Sequence, residues 1–440
     1  MRAVVLVPVL KKAGRKPAEG AILTTRSDEA RLEEACGLAA AIDLEVVHGM
    51  IVSVSDPKPG TLMGTGKMEE IGHILIEQDA GLVIVDHPLT PIQQRNLEKA
   101  WNAKVIDRTG LILEIFGRRA STKEGMLQVD LAHLNYQKGR LVRSWTHLER
   151  QRGGGGFMGG PGETQIEADR RLLQDKIIKL EKELEQVRRT RQLHRSKRRK
   201  VPHPIVALVG YTNAGKSTLF NRITGAEVLA EDMLFATLDP TLRRMQLPQG
   251  RMVILSDTVG FISDLPTHLV AAFRATLEEV MEADLVLHVR DMSDPDNAAQ
   301  SSDVIRILND LGIDEKARNE RMIDVWNKVD RLDPEARDAV LQKAALTPNT
   351  RAVSAVTGEG VDALIEDIGK RLSGVITEAT IVLGVEQLAL LPWVYKNAMV
   401  DGREDMEDGS VSLDVRLSEG QAAELDRRLG LGPKPAAQDW

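Results

Sequence analysis

The chain has 440 residues, and at about 100 to 200 residues per domain this length predicts about three domains. Its 58 Lys and Arg residues against 65 Asp and Glu give a net charge of −7, and 42% of the residues are apolar, which excludes collagen-like, mucin-like and wholly disordered proteins. The single cysteine, Cys36, excludes an intramolecular disulfide, and no apolar run approaches the roughly 18 residues that cross a bilayer. We expect a soluble cytoplasmic protein, with peripheral membrane association as an alternative.

An N-terminal α/β subdomain is predicted over residues 1–115. Short β-branched runs alternate there with helical stretches, which is typical of parallel strands joined by helices. The strand runs are AVVLVPV, EVVHGMIVSV and GLVIVD, and the helical stretches are DEARLEEACGLAAAID, GKMEEIGHILIEQD and TPIQQRNLEKAWNA.

A helical hairpin followed by a basic linker is predicted over residues 116–200. A mostly helical stretch at 123–150 precedes RGGGGFMGGPG at 152–162, whose seven glycines cannot hold a regular element. Thr164 and Glu167 form a capping-box pattern, which predicts that the second helix begins there. An apolar seam follows, formed by Leu173, Ile177, Leu180, Leu184 and Val187. Two heptads favour a hairpin over a long dimeric coiled coil, so we expect a monomer.

Positive charge is concentrated at this hairpin. Residues 139–200 contain 17 Lys and Arg against 8 Asp and Glu, a local net charge of +9, whereas the rest of the chain carries −16. The densest basic run extends from Arg188 to Lys200 and would attract polyphosphate. The glycine-rich tip would let RNA approach closely, with Phe157 stacking on a base. The alternatives are a solvated helix face and an unstructured turn.

A phosphate-binding loop is predicted where the strand IVALVG leads into G-x-x-x-x-G-K-S at 210–217 and then into a helix. Backbone N–H groups of such a loop surround the β-phosphate, while Lys216 reaches the β- and γ-phosphates and Ser217 ligates Mg²⁺. The residues assigned to this loop are Gly210, Tyr211, Thr212, Asn213, Ala214, Gly215, Lys216, Ser217 and Thr218.

Two switch segments are expected between the phosphate loop and the base-binding motifs. The strand MVILS leads into Asp257, Thr258, Val259 and Gly260, in which the aspartate would hold Mg²⁺ through water and the glycine N–H would sense the γ-phosphate. Upstream of it, FATLDPTLRR at 235–244 has the place of a mobile switch whose threonine joins Mg²⁺ when the γ-phosphate is present. Thr237 and Thr241 are both candidates, and spacing alone does not choose between them.

Guanine selectivity is predicted from NKVD at 327–330, which follows the strand MIDVW. The Asp330 carboxylate can accept hydrogen bonds from guanine N1–H and N2–H₂, while Asn327 faces the other base edge and the Lys328 stem lies along the ring. Adenine has no such donor pair, so GTP is favoured over ATP. After the strand RAVS, the backbone of Ser354, Ala355 and Val356 is placed to address guanine O6.

Phe261 stands where many small GTPases have a glutamine that orients the attacking water. A phenyl ring cannot position water, so we expect slow intrinsic hydrolysis, with the missing group supplied by another loop or by a partner. The G domain is predicted over 201–373 and a small C-terminal domain over 374–440. In the latter, ATIVLG, SVSLDVRLS and QAAELDRRLG predict two strands and a helix.

The chain resembles the HflX family of translational GTPases over nearly its whole length. The resemblance rests on GYTNAGKSTLFN, FATLDPT, DTVGFI and LPTHLVAAFRATLEE, and on the more specific GGGGFMGGPGETQIEADRR upstream. It implies an α/β fold: an N-terminal α/β subdomain, a helical hairpin, a Ras-like P-loop G domain with a mixed, mostly parallel sheet, and a small α+β C-terminal domain.

The resemblance also implies roles for individual residues. It places the magnesium-ligating threonine of FATLD at Thr237, so that Ser217, Thr237 and Asp257 form the metal set. Phe235, Ala236, Leu238 and Asp239 then join the nucleotide-binding residues, and Lys216, Thr237 and Gly260 are expected to be catalytic.

The implied partner is the large ribosomal subunit with its rRNA, and the implied role is GTP-dependent splitting of stalled or idle ribosomes under stress. The main alternative is a regulatory switch that acts on a protein or membrane complex. A weaker one is an RNA-remodelling ATPase, since the family is linked to ATP binding through its N-terminal domain. Here GTGK at 64–67 has Thr61 and Met68 where a P-loop needs Gly and Ser or Thr, so a second P-loop is not expected.

Overall fold

The computed structural model describes residues 1–10, 26–151, 161–198, 203–226, 234–235, 240–248, 250–263, 274–373 and 376–430. These residues form three sheets. Two sheets are parallel or mostly parallel and belong to the N-terminal and G domains, and the third is antiparallel and lies near the C-terminus. The predicted α/β fold class is therefore confirmed. None of the helices in the described ranges combines the length and the hydrophobicity that a membrane span requires.

The N-terminal sheet is fully parallel and has the order β2-β1-β3-β4. Its elements are β1 (Arg2–Leu10), α1 (Asp28–Ala40), β2 (Glu45–Val54), α2 (Thr65–Glu77), β3 (Leu82–Val85), α3 (Pro91–Trp101), β4 (Lys104–Asp107) and α4 (Arg108–Arg119). Apolar residues of α1 and α4 cover one face, and those of α2 and α3 cover the other. The chain direction across the sheet reverses between β1 and β3, which makes that pair the topological switch point.

Strand β4 and helix α4 were not predicted from the sequence. The strand KVID has only four residues, and α4 begins directly after it with no intervening turn residues. Asp107 explains this abrupt change, because its side chain accepts a hydrogen bond from the Gly110 N–H and caps the helix. The predicted boundary after residue 115 lies inside α4.

The hairpin consists of α5 (Lys123–Gln151) and α6 (Pro161–Arg198), which pack against each other. The predicted seam is confirmed, since Ile177 and Leu184 are buried and the other three seam residues are partly buried. The prediction that the second helix begins at Thr164 is wrong: it begins at Pro161, whose fixed φ suits a first helical position. The basic run continues this helix to Arg198 instead of forming a linker, and the glycine-rich tip at 152–160 lies outside the described residues.

The G domain has a six-stranded sheet of order β10-β9-β8-β5-β7-β6, in which only β6 is antiparallel to its neighbour. Its strands are β5 (Ile205–Gly210), β6 (Thr241–Gln246), β7 (Met252–Asp257), β8 (Leu285–Asp291), β9 (Met322–Asn327) and β10 (Thr350–Ala352). Its described helices are α7 (Lys216–Thr224), α8 (Arg274–Met281), α9 (Asn297–Asp310), α10 (Glu315–Arg321), α11 (Pro334–Leu346) and α12 (Val361–Ser373), with a short 3₁₀ turn at Val329–Arg331. The loops after β5, β7, β9 and β10 carry the predicted motifs and meet at one edge of the sheet.

The C-terminal domain is a three-stranded antiparallel sheet of order β11-β13-β12. Its elements are β11 (Ile376–Leu383), a 3₁₀ turn (Val385–Leu390), α13 (Leu391–Asn397), β12 (Met399–Asp405), β13 (Val411–Ser418) and α14 (Glu419–Arg428). The prediction of two strands and one helix is therefore incomplete. The missed strand, MVDGRED, is polar because it lies at the sheet edge and is largely exposed.

The N-terminal and G domains share one apolar core cluster. It joins α1 and α4 of the N-terminal domain to Tyr211, Phe235, Val259 and Phe261 of the G domain. The phosphate loop and the switch residues are therefore packed directly against the N-terminal domain.

Candidate functional site

The phosphate loop requires both of its motif glycines. A Cβ atom on Gly210 would lie 2.2 Å from the Val289 carbonyl oxygen, and one on Gly215, whose φ is +89°, would lie 2.3 Å from the Asn327 amide nitrogen. Any side chain at either position would collide with a neighbouring strand end. The loop between them leads straight into α7, whose N-terminus points its free N–H groups toward the space where phosphates bind in this motif.

Lys216 is buried at the first position of α7. Its ammonium group donates to the Tyr211 carbonyl at 2.7 Å and to the Gly210 carbonyl at 3.2 Å. Burial lowers the pKa of Lys216 to about 8, with Asp257 opposing and Lys328 reinforcing the shift. A buried ammonium held beside these carbonyls is placed for a polyphosphate ligand.

Ser217 and Asp257 lie together at the predicted magnesium site. The Ser217 hydroxyl donates to a carboxylate oxygen of Asp257 at 2.7 Å. Ser217 lies in the first turn of α7 and Asp257 ends β7, so the fold brings together two oxygen donors of the type that Mg²⁺ prefers. Nearby, the buried Thr212 hydroxyl has no hydrogen-bond partner among the described residues. This donor set fits a magnesium–nucleotide complex, and the assignment of each ligand stays a prediction.

The DTVG segment lies directly on the phosphate loop. Thr212 N–H donates to the Phe261 carbonyl at 2.7 Å, and Phe261 N–H donates to the Gly210 carbonyl at 3.0 Å. Gly260 is essential to this packing, because a Cβ there would lie 2.9 Å from the Thr212 Cα. The Phe261 residue is only 2% exposed and belongs to the interdomain core cluster.

The base-binding motifs are joined to the phosphate loop by Asn327. Its amide donates to the Ala214 carbonyl at 2.9 Å and its oxygen accepts from Ala355 N–H at 3.0 Å. The Asn327 side chain thus connects the two loops, and its predicted contact with the base stays a prediction. Asp330 is exposed, and its contact with guanine stays a prediction.

Two further residues of this region escaped the sequence analysis. Asp291, at the end of β8, holds the Lys328 ammonium at 2.7 Å and fixes it beside the loop. Arg222 donates to the Ala355 carbonyl at 3.1 Å and also to the Val356 carbonyl, which holds the loop of Ser354 in place. For Asp291, the one signal in the sequence is its place at the end of a parallel strand, in DMSD at 291–294.

The first switch segment is described only in part. Phe235 is buried against Phe116 of α4 with ring centroids 4.8 Å apart in an edge-to-face arrangement. Ala236, Thr237, Leu238 and Asp239 lie outside the described residues, and Thr241 is the first residue of β6. The choice of Thr237 over Thr241 as a magnesium ligand stays a prediction.

Known domain families match the chain in order along its length. "GTP-binding GTPase N-terminal" matches residues 29–117, "GTP-binding GTPase Middle Region" 119–198, "50S ribosome-binding GTPase" 205–328 and "HflX C-terminal domain" 339–440. The domain boundaries given above from the sequence stay predictions.

Curated proteins named GTPase HflX are similar to most of the chain. The protein from Magnetococcus marinus is 50% identical over 377 residues, covering 86% of each chain. The one from Escherichia coli is 44% identical over 394 residues, covering 90% of this chain and 91% of its own. The one from Caldanaerobacter subterraneus is 46% identical over 354 residues, covering 80% of this chain and 79% of its own.

Proposed function

The chain belongs to the HflX family of GTPases, and from this premise we propose that it binds the large ribosomal subunit and, in its GTP-bound state, separates stalled or idle ribosomes under stress. It would act in the cytoplasm, as a monomer. Membership of this family, together with the match to a ribosome-binding type of G domain, supports GTP hydrolysis.

The chemistry that this chain can supply is positioning and charge stabilisation. Lys216 and the N–H groups of the phosphate loop would stabilise the charge that develops on the phosphates, and the Gly260 N–H would detect the γ-phosphate. Mg²⁺, held by Ser217, Asp257 and Thr237, would neutralise phosphate charge when bound. Asp330 would select guanine.

The hairpin is the observation that carries the ribosomal role. Helix α6 has 38 residues, which corresponds to about 57 Å, and its C-terminal turns carry the basic run up to Arg198, at the end that leads into the G domain. Residues 139–200, which include most of the hairpin, carry a net charge of +9, whereas the rest of the chain carries −16. A long, basic, two-helix arm on an acidic body suits insertion into folded rRNA, because attraction to phosphate is confined to the arm.

The buried Phe261 supports a requirement for a partner. It stands where many small GTPases have a water-orienting glutamine, and its ring is buried in the interdomain core. Hydrolysis would then be slow until a partner rearranges the switch segments or supplies the missing group.

Cosedimentation with purified large subunits tests the binding step. We expect more protein to pellet with a non-hydrolysable GTP analogue than with GDP. Replacing Arg188, Arg191 and Arg195 together by Gln should weaken binding and reduce its dependence on salt concentration by about 0.7 to 0.9 in log–log slope per lost phosphate contact. The matched control replaces three exposed lysines outside the hairpin, Lys99, Lys104 and Lys370, by Gln.

Two outcomes would count against the proposal. Equal pelleting with GDP and with the GTP analogue would show that binding does not depend on the nucleotide. Equal weakening by the control variant would show that binding does not depend on the hairpin. Splitting itself is read from sedimentation of intact ribosomes, which should give free subunits when the protein and the GTP analogue are both present.

A further inference from the structure

An ion pair between Asp291 and Lys328 lies at the sheet edge that carries the phosphate loop. The Lys328 ammonium is 2.7 Å from a carboxylate oxygen of Asp291, and each of the two side chains is only 12% exposed. Asp291 ends β8, and Lys328 directly follows β9, the neighbouring parallel strand. The ion pair therefore joins the carboxyl ends of two adjacent strands of the G-domain sheet.

The Asp291 carboxylate is oriented by three donors. One oxygen accepts from the Ser293 N–H at 2.9 Å and from the Ser293 hydroxyl at 2.6 Å, and the other oxygen holds Lys328. A bond from an aspartate side chain to the N–H two residues later is typical of a turn that the side chain organises. The carboxylate therefore has a fixed direction, and this direction determines where the Lys328 ammonium lies.

The backbone of Lys328 is also held in place. Its φ of +64° lies in the left-handed region, which residues with a side chain rarely adopt and which persists where the surroundings impose it. Its carbonyl accepts from Arg331 N–H at 3.1 Å, which closes the short 3₁₀ turn that contains Asp330. Lys328 is thus fixed at two ends, by this turn at the backbone and by Asp291 at the ammonium.

The stem between these two ends passes beside the phosphate loop. A Cβ atom on Gly215 would lie 4.0 Å from the Lys328 Cε, which is van der Waals distance. NKVD predicts that this same stem lies along the guanine ring. A stem fixed at both ends presents its methylene groups to a base in one arrangement, and fixing a binding group beforehand reduces the ordering that binding requires.

The Asp291 carboxylate can act on a nucleotide in two ways, and they have opposite signs. As a negative charge it would repel phosphates, so its removal would tighten binding, and more so for GTP than for GDP. As the holder of Lys328 it would support the nucleoside, so its removal would weaken binding. GDP and GTP would then weaken equally, because they share the nucleoside.

We propose that Asp291 is a positioning residue of the guanine-nucleotide site, which holds the Lys328 stem for the nucleoside and so sets the affinity for GDP and GTP by the same factor. It takes no part in the hydrolysis step. The proposal rests on the GTPase activity of the family and on NKVD as the base-binding motif, and it does not depend on the ribosomal role.

Asp291→Asn tests the proposal in the full-length protein without any partner. The amide keeps the shape of the side chain and an oxygen for Ser293, but it loses the charge that holds Lys328. Loss of one charge-assisted hydrogen bond corresponds to about a tenfold effect, so the Kd values of labelled GDP and of a labelled non-hydrolysable GTP analogue should both rise about tenfold. The KM for GTP should rise with them, while kcat at saturating GTP should stay within about twofold, because Lys216 and the phosphate loop are retained.

A double variant tests whether Asp291 acts through Lys328. Lys328→Met keeps a stem of similar length and removes the ammonium, so it should also weaken both nucleotides. Adding Asp291→Asn to Lys328→Met should cause no further loss, because the two changes break one contact.

The matched control is Asp324→Asn. Asp324, in β9, also pairs with a cation of β8, Arg290 at 2.9 Å, but it lies three residues before the strand end that carries Asn327. Its nucleotide affinities should stay within about twofold of the wild type, although the same two strands lose an ion pair. Should Asp291→Asn fail to fold, as judged by thermal unfolding, Ser293→Ala carries the test. It removes one donor to the carboxylate and should weaken both nucleotides about threefold.

Four results would overturn the proposal. They are unchanged or tighter nucleotide binding in folded Asp291→Asn, or unchanged binding in Ser293→Ala if that variant carries the test; a change that is larger for GTP than for GDP; equal weakening in Asp324→Asn; and additive losses in the double variant. None of these measurements contains ribosomes, so the proposed ribosomal role and this proposal can fail independently.

Discussion

The N-terminal sheet and the G-domain sheet both end in polar loops at the carboxyl edge of parallel strands, but they use that edge differently. In the G domain the edge carries the phosphate loop, DTVG and NKVD, and its glycines leave space for a nucleotide. In the N-terminal domain the corresponding edge carries Asp86 and Arg108, which form an ion pair with each other. Arg108 also pairs with Glu34 and donates to the Ser263 carbonyl of the G domain. Similar sheet edges can therefore bind a small ligand in one domain and contact a neighbouring domain in the other.

The largest effect is expected from removing the lysine of the G-domain edge. Lys216→Ala should lower kcat/KM for GTP by about 10²- to 10³-fold, because a buried charge facing the phosphates is lost. Phosphate release from purified protein measures it. Lys67→Ala in GTGK of the N-terminal domain is the matched control, since Lys67 forms an ion pair with Glu70 on the surface and its loss should leave the rate unchanged.

A comparable loss in Lys67→Ala would contradict the contrast between the two edges. It would indicate that the N-terminal domain holds a nucleotide that contributes to turnover.

The contact between the domains should be costly to remove. Phe116 is fully buried and packs edge-to-face on Phe235, so Phe116→Ala should destabilise the protein by about 3 to 4 kcal/mol. Phe116→Leu keeps most of the volume and should cost about 1 kcal/mol. Thermal unfolding followed by calorimetry measures both, and equal midpoints for Phe116→Ala and the wild type would show that the domains are not held together through this ring.

Guanine selectivity tests the base end of the G-domain edge. Asp330→Asn should weaken GTP binding about a hundredfold, because the two guanine N–H donors lose a charged acceptor. Asp310→Asn makes the same charge change at an exposed position of α9 and should leave the affinity unchanged. Fluorescence titration with a labelled GTP analogue measures both, and equal affinities in the two variants would exclude the assignment of Asp330.

The smallest effect concerns a partly buried carboxylate of the G domain that lies away from both edges. Burial would raise the pKa of Asp324, but hydrogen bonds from His288 and Trp326 and the Arg290 charge lower it to about 2. This pKa is below the ordinary value, so Asp324 stabilises the fold above about pH 4 by roughly 2 kcal/mol, and this contribution disappears as the pH falls toward 2.

The stability difference between Asp324→Asn and the wild type should therefore shrink over that pH range in urea unfolding. A difference that is constant from pH 5 to pH 2 would contradict the assigned pKa.

The sequence could predict those parts of the molecule that local patterns encode. Gly210, Gly215 and Gly260 were identified from motif spacing, and each proves to have no room for a side chain. The hairpin seam followed from the repeat at Ile177 and Leu184.

What the sequence could not predict depends on contacts between distant segments. Glu34 lies in an ordinary helical stretch, and Tyr211 stands at a variable position of the phosphate-loop motif. Their side chains are nevertheless hydrogen-bonded, although 177 positions separate them in the sequence. Asn327 has a familiar place in NKVD, but its role in joining two loops depends on where Ala214 and Ala355 lie in space. The short strand β4 and the polar edge strand β12 were missed because neither is long or apolar enough to show a pattern.

GTP turnover with and without purified large ribosomal subunits tests the proposed role most directly, with Lys216→Ala as the inactive control. The account predicts that large subunits raise turnover by about tenfold or more, as expected for a GTPase whose Phe261 cannot orient water. Unchanged turnover in a protein that still binds GTP tightly would contradict it, and would favour a regulatory switch with another partner.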